Sequence, residues 1–160
     1  MMVKDMIDEN DNKTIDGFGD EWNKFDQSKL KQDELDEMSK RYFNIFPLNK
    51  ISKKSVGFDL GCGSGRFSKY IASKVKSLHC IDPSNAIDVA KKNLKGFDNC
   101  FFHQTTVENL NLENDTMDFG FSLGVLHHTL DPQKGLSICS SKLKKNSPFL
   151  LYLYYSFDNR

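Results

Sequence analysis

Neither sign of charge predominates in this sequence: 22 lysines and arginines stand against 22 aspartates and glutamates, for a formal net charge of +0. Phosphate backbones are normally bound through a basic surplus on one face, so no nucleic-acid partner is expected. Long apolar runs are also lacking. The longest, Phe149 to Tyr155, falls far short of the ~20 residues that span a bilayer, so no membrane partner is expected. The polar, acidic stretch from Met1 to Asn12 reads as a mobile leader rather than a signal peptide. Cysteines are few, and no two of Cys62, Cys80, Cys100 and Cys139 form a C-x-x-C pair, which argues against a thiolate zinc site. Each lies in an apolar stretch, as expected of reduced, partly buried thiols in a cytoplasmic protein. Internal repeats and low-complexity segments are absent.

What is present is enough for one domain: 160 residues, 38% of them apolar. Residues 1–16 read as the leader and 17–54 as a helical cap. Within the cap, Leu35, Met38, Tyr42, Ile45 and Phe46 recur at helical spacing from Asp33 to Phe46, and Pro47 is expected to end that helix. Residues 55–160 alternate strand and helix. Strands are predicted over Ser55–Leu60, Ser77–Asp82, Cys100–His103, Phe119–Leu123 and Phe149–Tyr155. Helices are marked by Phe67, Tyr70, Ile71 and Val75, then by Ile87, Ala90 and Leu94, and last by Leu136, Cys139 and Leu143. Such repetition predicts an α/β fold, a doubly wound, mostly parallel sheet with right-handed crossovers and helices on both faces. In that fold, ligands lie beyond the carboxyl ends of the strands where the strand order reverses. Four segments should therefore meet at one crevice: Asp59-Leu60-Gly61, Ile81-Asp82, Gln104-Thr105-Thr106 and Ser122-Leu123-Gly124.

The first of these continues as Asp59-Leu60-Gly61-Cys62-Gly63-Ser64-Gly65-Arg66-Phe67. Glycines permit a tight turn and a close approach of backbone to ligand. The spacing is G-x-G-x-G, shorter than the dinucleotide fingerprint G-x-G-x-x-G. Asp82, in Cys80-Ile81-Asp82-Pro83-Ser84, follows Gly61 by 21 residues, one helix and one strand further on. Its carboxylate is suited to the two hydroxyls of a ribose, or else to capping the next helix, a task Ser84 can also perform.

These segments, with Gln104-Thr105-Thr106-Val107-Glu108-Asn109-Leu110 and Met117 to His128, resemble in order and spacing the class I S-adenosylmethionine-dependent methyltransferases of the small-molecule type. The resemblance runs from Val56 to about Tyr155. It implies a Rossmann-like core, S-adenosyl-L-methionine as cofactor and a small-molecule acceptor. It also implies a cofactor site at Asp59, Gly61, Cys62, Gly63, Gly65, Asp82, Pro83, Thr106, Val107, Glu108, Ser122 and Leu123. Gly63 and Gly65 would lie under the methionine and ribose. Thr106 stands where the family usually has an acid facing adenine, with Glu108 as a substitute and the Val107 N–H on the ring. Phe18, Trp22 and Phe43 would cover the cofactor, shape an acceptor pocket or simply pack on the sheet. His127 is a candidate general base. Adjacent His127 and His128 do not face one way on a helix, so no metal site is expected.

The run after strand four lacks the N/D-P-P-Y/F of nucleobase-amino methyltransferases, the proline–cysteine of cytosine-C5 enzymes, the paired glutamates of arginine methyltransferases and the metal-binding acids of catechol enzymes. A full core of this family has seven strands and five are predicted, so the last two are expected to be missing. Two other readings remain: a non-catalytic module on the same fold, and a nicotinamide-dependent oxidoreductase, which would need the longer glycine fingerprint.

Overall fold

Alternating side chains give the five strands their two faces. A computed structural model describes Gly17 and residues 31–154. The strands are β1 (Val56–Leu60), β2 (Ser77–Ile81), β3 (Cys100–His103), β4 (Phe119–Leu123) and β5 (Phe149–Tyr152), joined by helices α1 (Gln32–Tyr42), α2 (Arg66–Ala72), α3 (Ala86–Asn93) and α4 (Pro132–Lys142). All pairings are parallel, in the order β3-β2-β1-β4-β5. The chain winds outward from β1 to β3, then returns to the other side of β1, so the reversal lies between β1 and β4.

On one face, Phe67, Ile71, Ile87, Ala90 and Leu94 of the second and third helical segments pack on Leu78, Cys80, Phe119, Phe121 and Leu150. Phe43, Phe46 and Ile51 from the segment after α1 join the same cluster. On the other face, Phe58, Leu60 and Ile81 meet Leu126, Cys139, Leu143 and the β3–β4 connection through Val107, Leu110 and Leu112. The two central strands interlock. Gly57 sits opposite Phe119 and Phe58 opposite Gly120. A methyl added at Gly57 would overlap the Phe119 ring, and one added at Gly120 would come within 2.5 Å of the Phe58 ring. Each phenylalanine thus lies over a glycine of the neighbouring strand.

Several details depart from expectation. The first helix ends at Tyr42, well before Pro47, because Phe43 leaves helical geometry at φ −93° and ψ 9°. The turn that follows sends Phe43 and Phe46 inward and leaves Ile45 80% exposed. In α4, Asp131 Oδ1 accepts from the Lys134 N–H at 2.9 Å and fixes the helix start. That phase buries Gly135 and Cys139 and turns Leu136 outward. The fifth strand is paired only through Tyr152, and Tyr154 is exposed; Tyr155 lies outside the described residues, as do Phe18 and Trp22. Phe43 packs against Phe46, Phe67, Tyr70 and Phe121 as a core residue rather than facing the strand ends. All four cysteines are buried free thiols. No described helix is long and apolar enough to cross a membrane.

Candidate cofactor site

The loop from β1 to α2 takes its path from three left-handed residues, Gly61 (φ 76°), Gly63 (φ 52°) and Gly65 (φ 79°). Side chains pay about 1–2 kcal/mol for such backbone, and glycine does not. At Gly61 there is also no room: a methyl there would overlap Val125. The loop is tied to β2 by backbone bonds, since the Gly61 and Cys62 N–H groups both donate to the Ile81 carbonyl, at 2.7 and 3.0 Å.

Asp82, just past β2, completes the attachment. Its Oδ2 accepts from the Gly63 N–H at 2.9 Å, and its Oδ1 accepts from the Ser84 N–H at 3.0 Å and the Ser84 hydroxyl at 2.6 Å. Ser84 Oγ in turn accepts from the Ala86 N–H at 3.2 Å, at the start of α3. Ser84 thus serves the helix start, while Asp82 holds the glycine loop. A carboxylate offers about four acceptor sites, so three donors leave capacity for a ligand. From the far side, Asn93 Nδ2 donates to the Ser64 carbonyl at 2.9 Å.

The four carboxyl-end segments border a single cleft of about 190 Å³ at the reversal of strand order. Gly61, Cys62, Gly63, Asp82, Pro83, Thr106, Val107, Glu108 and Leu123 line it. Leu60, Thr105 and Gly124, from the segments expected at the crevice, also line it, and Arg66, Phe67, Ser84, Val125, His128, Thr129 and Leu130, none of them assigned to the cofactor from the sequence, complete the wall. Gly124 turns the chain out of β4 with φ 78°. Arg66 directly follows the glycine loop.

Four of the expected residues lie elsewhere. Asp59 is buried beneath the loop, where its Oδ2 accepts from the Ser68 hydroxyl at 2.6 Å. Burial pushes its carboxyl up to about 7, against the pull of the Ser68 bond. Gly65 gives α2 room beside α3, since a methyl there would come within 2.9 Å of Leu94. Ser122 is fully buried on β4, and its hydroxyl meets no partner among the described residues. His127 packs edge-on to Tyr154, with both ring nitrogens buried and unpaired among the described residues. Burial, then the neighbouring His128, holds its pKa below the ordinary value. In the short 3-10 turn Leu126–His128 the two imidazole rings pack against each other with centroids 4.0 Å apart, and His128 is the one that lines the cleft. Among the described residues no three histidine, cysteine or acidic side chains cluster as a metal site would need.

Comparison with known proteins follows the same lines. The methyltransferase domain family model matches residues 58–151. No curated protein matches the chain. Among solved structures, the chain is similar to the YcgJ protein of Bacillus subtilis, with 25% identity and a TM-score of 0.65 over 76% of this chain and 50% of that one. It also shares its fold with the phosphoethanolamine N-methyltransferase 1 of Haemonchus contortus, a structure holding phosphoethanolamine and S-adenosylhomocysteine, at 15% identity and TM-score 0.66 over 84% and 30% of the two chains. A third is a complex of the Haloferax volcanii Trm112 methyltransferase activator with a methyltransferase, at 20% identity and TM-score 0.65 over 92% and 60%. The chain thus spans about half the length of the first solved structures it resembles.

Proposed function

The chain belongs to the methyltransferase domain family, as a class I S-adenosylmethionine-dependent member, and we propose that it transfers the cofactor's methyl group to a small-molecule acceptor. One observation carries this reading. A loop of left-handed glycines is bonded to an acidic residue ending β2, within a cleft at the point where strand order reverses. The loop has room for backbone contact but not the extra residue of a pyrophosphate-binding turn.

The residues suit such a ligand. Asp82, with acceptor capacity remaining, receives the ribose hydroxyls. Thr106, Val107 and Glu108, in the loop just past β3, meet the adenine edge, with Glu108 supplying the acceptor that the threonine hydroxyl shares with Asn109 Nδ2. Gly61 and Gly63 bring backbone against the methionine end. Cys62, Pro83 and Leu123 supply apolar wall that excludes water. When bound, S-adenosylmethionine supplies an electrophilic methyl group on a sulfonium, so this chain contributes mainly orientation and desolvation. Where an acceptor must lose a proton, His128 is the imidazole placed in the cleft wall to take it. Four buried free thiols and the absence of charge excess fit a cytoplasmic enzyme acting on a small molecule.

Isothermal titration with S-adenosylmethionine, S-adenosylhomocysteine and NAD tests the reading. Binding of the two adenosyl compounds and not of NAD is expected. Binding of NAD alone would overturn it. Release of S-adenosylhomocysteine in the presence of an acceptor panel then separates an enzyme from a non-catalytic binder.

A further inference from the structure

Polar groups are unevenly distributed along the cleft. Its two acids, Asp82 and Glu108, stand at the ends of β2 and just past β3, and its one lysine or arginine, Arg66, stands at the end of the glycine loop. The proposed cofactor has a matching polarity. Ribose hydroxyls and the adenine amino group are donors and call for acceptors, while the methionine carboxylate calls for a donor. Asp82 fixes the ribose at β2 and Glu108 the adenine beyond β3, which leaves the methionine end over β1 and β4, beside Arg66. Its guanidinium is held in place, stacked 4.7 Å from the centroid of Phe67, another cleft residue. The phenols of Tyr42 and Tyr154 lie within electrostatic range.

Resting on the proposed function, we infer that Arg66 recognises the carboxylate of the cofactor's methionine portion. A guanidinium presents parallel N–H donors that a carboxylate can take two at a time, and the stacked ring limits the freedom lost on binding. Arg66 is therefore a binding residue that distinguishes the whole cofactor from adenosyl fragments lacking the amino-acid end.

Titration calorimetry on the 160-residue chain tests this with two ligands that differ in that end. S-adenosylhomocysteine carries the carboxylate and 5′-methylthioadenosine does not. In Arg66→Gln, affinity for S-adenosylhomocysteine should fall at least tenfold while that for 5′-methylthioadenosine stays within about twofold. Arg66→Lys, which keeps the charge but not the fork, should recover part of the loss; it also provides the comparison should the glutamine variant fail to fold. Unchanged affinity for S-adenosylhomocysteine in either folded variant, or an equal loss for both ligands, overturns the inference. If the unaltered chain binds neither ligand, the cofactor reading fails and this inference fails with it.

Discussion

Asp82 holds the glycine loop and is proposed to bind the cofactor's ribose, and replacing it should separate the two. Asp82→Ala removes the acceptor for the Gly63 N–H, the Ser84 N–H and the Ser84 hydroxyl. The hydroxyl can turn to another partner, but the two backbone donors cannot. A hydrogen bond to a charged group is worth about 1.5–3 kcal/mol, and a buried donor left unpaired costs about as much. With Asp82 only 8% exposed, two stranded N–H groups give an expected loss of about 3 kcal/mol in stability. For a domain of this size that corresponds to a fall in Tm of roughly 6–12 °C, read by circular dichroism. Titration below the new Tm should show the affinity for S-adenosylmethionine reduced by at least about tenfold, since the ribose loses a charged acceptor as well. Asp82→Asn keeps one carbonyl oxygen but sets an amide donor against one of the backbone donors, so it should fall between. A Tm for Asp82→Ala within about 2 °C of the parent would refute the account of the loop's attachment. Unchanged affinity at an altered Tm would refute ribose binding alone.

Three further perturbations test the neighbourhood. Gly63→Val places a branched side chain at φ 52° in the cleft wall; the fold should survive with a loss of about 1–2 kcal/mol, while cofactor binding disappears, and retained binding in a folded variant excludes this loop from the site. The Asp59 carboxyl, raised by burial to about 7, keeps its proton in the folded state between about pH 4 and 7 where the unfolded chain releases it. The parent therefore loses stability as pH rises through that window, so Asp59→Asn should gain on it by up to about 4 kcal/mol between pH 4 and 7.5, and a pH-independent difference in urea unfolding sinks the assignment. Gly57→Ala forces the Phe119 ring aside and should cost about 2–3 kcal/mol, largely recovered by adding Phe119→Leu; strictly additive effects of the two changes would contradict the interlock.

Strand positions were legible because period-two patterns bounded by turn residues leave little freedom. The ranges Cys100–His103 and Phe119–Leu123 match, and β1 and β2 each differ by one residue at one end. Helical phase was harder. Leu136 and Ile45 fit a stripe of apolar residues, yet the Asp131 cap and the break at Phe43 set different rotations. Within the site, the glycine loop and Asp82 stood out because their spacing reflects one strand and one helix. Asp59 shows the limit of that logic. A carboxylate ending a strand beside a glycine loop reads as a ligand contact, but pleat parity decides which way it points. Asp59 pairs with Phe121, on the face opposite Phe58 and Leu60, and so falls under α2 against Ser68. Arg66 escaped notice for the converse reason. A single cation at a helix start repeats with nothing, and only its place in the cleft wall gives it meaning.

The ties around the glycine loop imply that half the site is formed before any ligand arrives. The Gly61 and Cys62 N–H groups are bonded to Ile81 and the Gly63 N–H to Asp82. Beyond β3 the situation differs, for the backbone N–H groups of Thr106, Val107 and Glu108 find no backbone acceptor among the described residues. Under the proposed function, the glycine loop bonded to β2 is the ribose and methionine side of the cleft, and the segment past β3 is its adenine side. Ordering a segment on binding costs free energy that a preset one does not. Amide hydrogen exchange should resolve the two halves. Without ligand, Gly61, Cys62 and Gly63 should exchange slowly and Thr106 to Glu108 quickly; adding S-adenosylhomocysteine should slow the second group far more than the first. The opposite pattern, with the glycine loop unprotected until ligand is added, would mean that Asp82 closes on the loop only when the cofactor is bound.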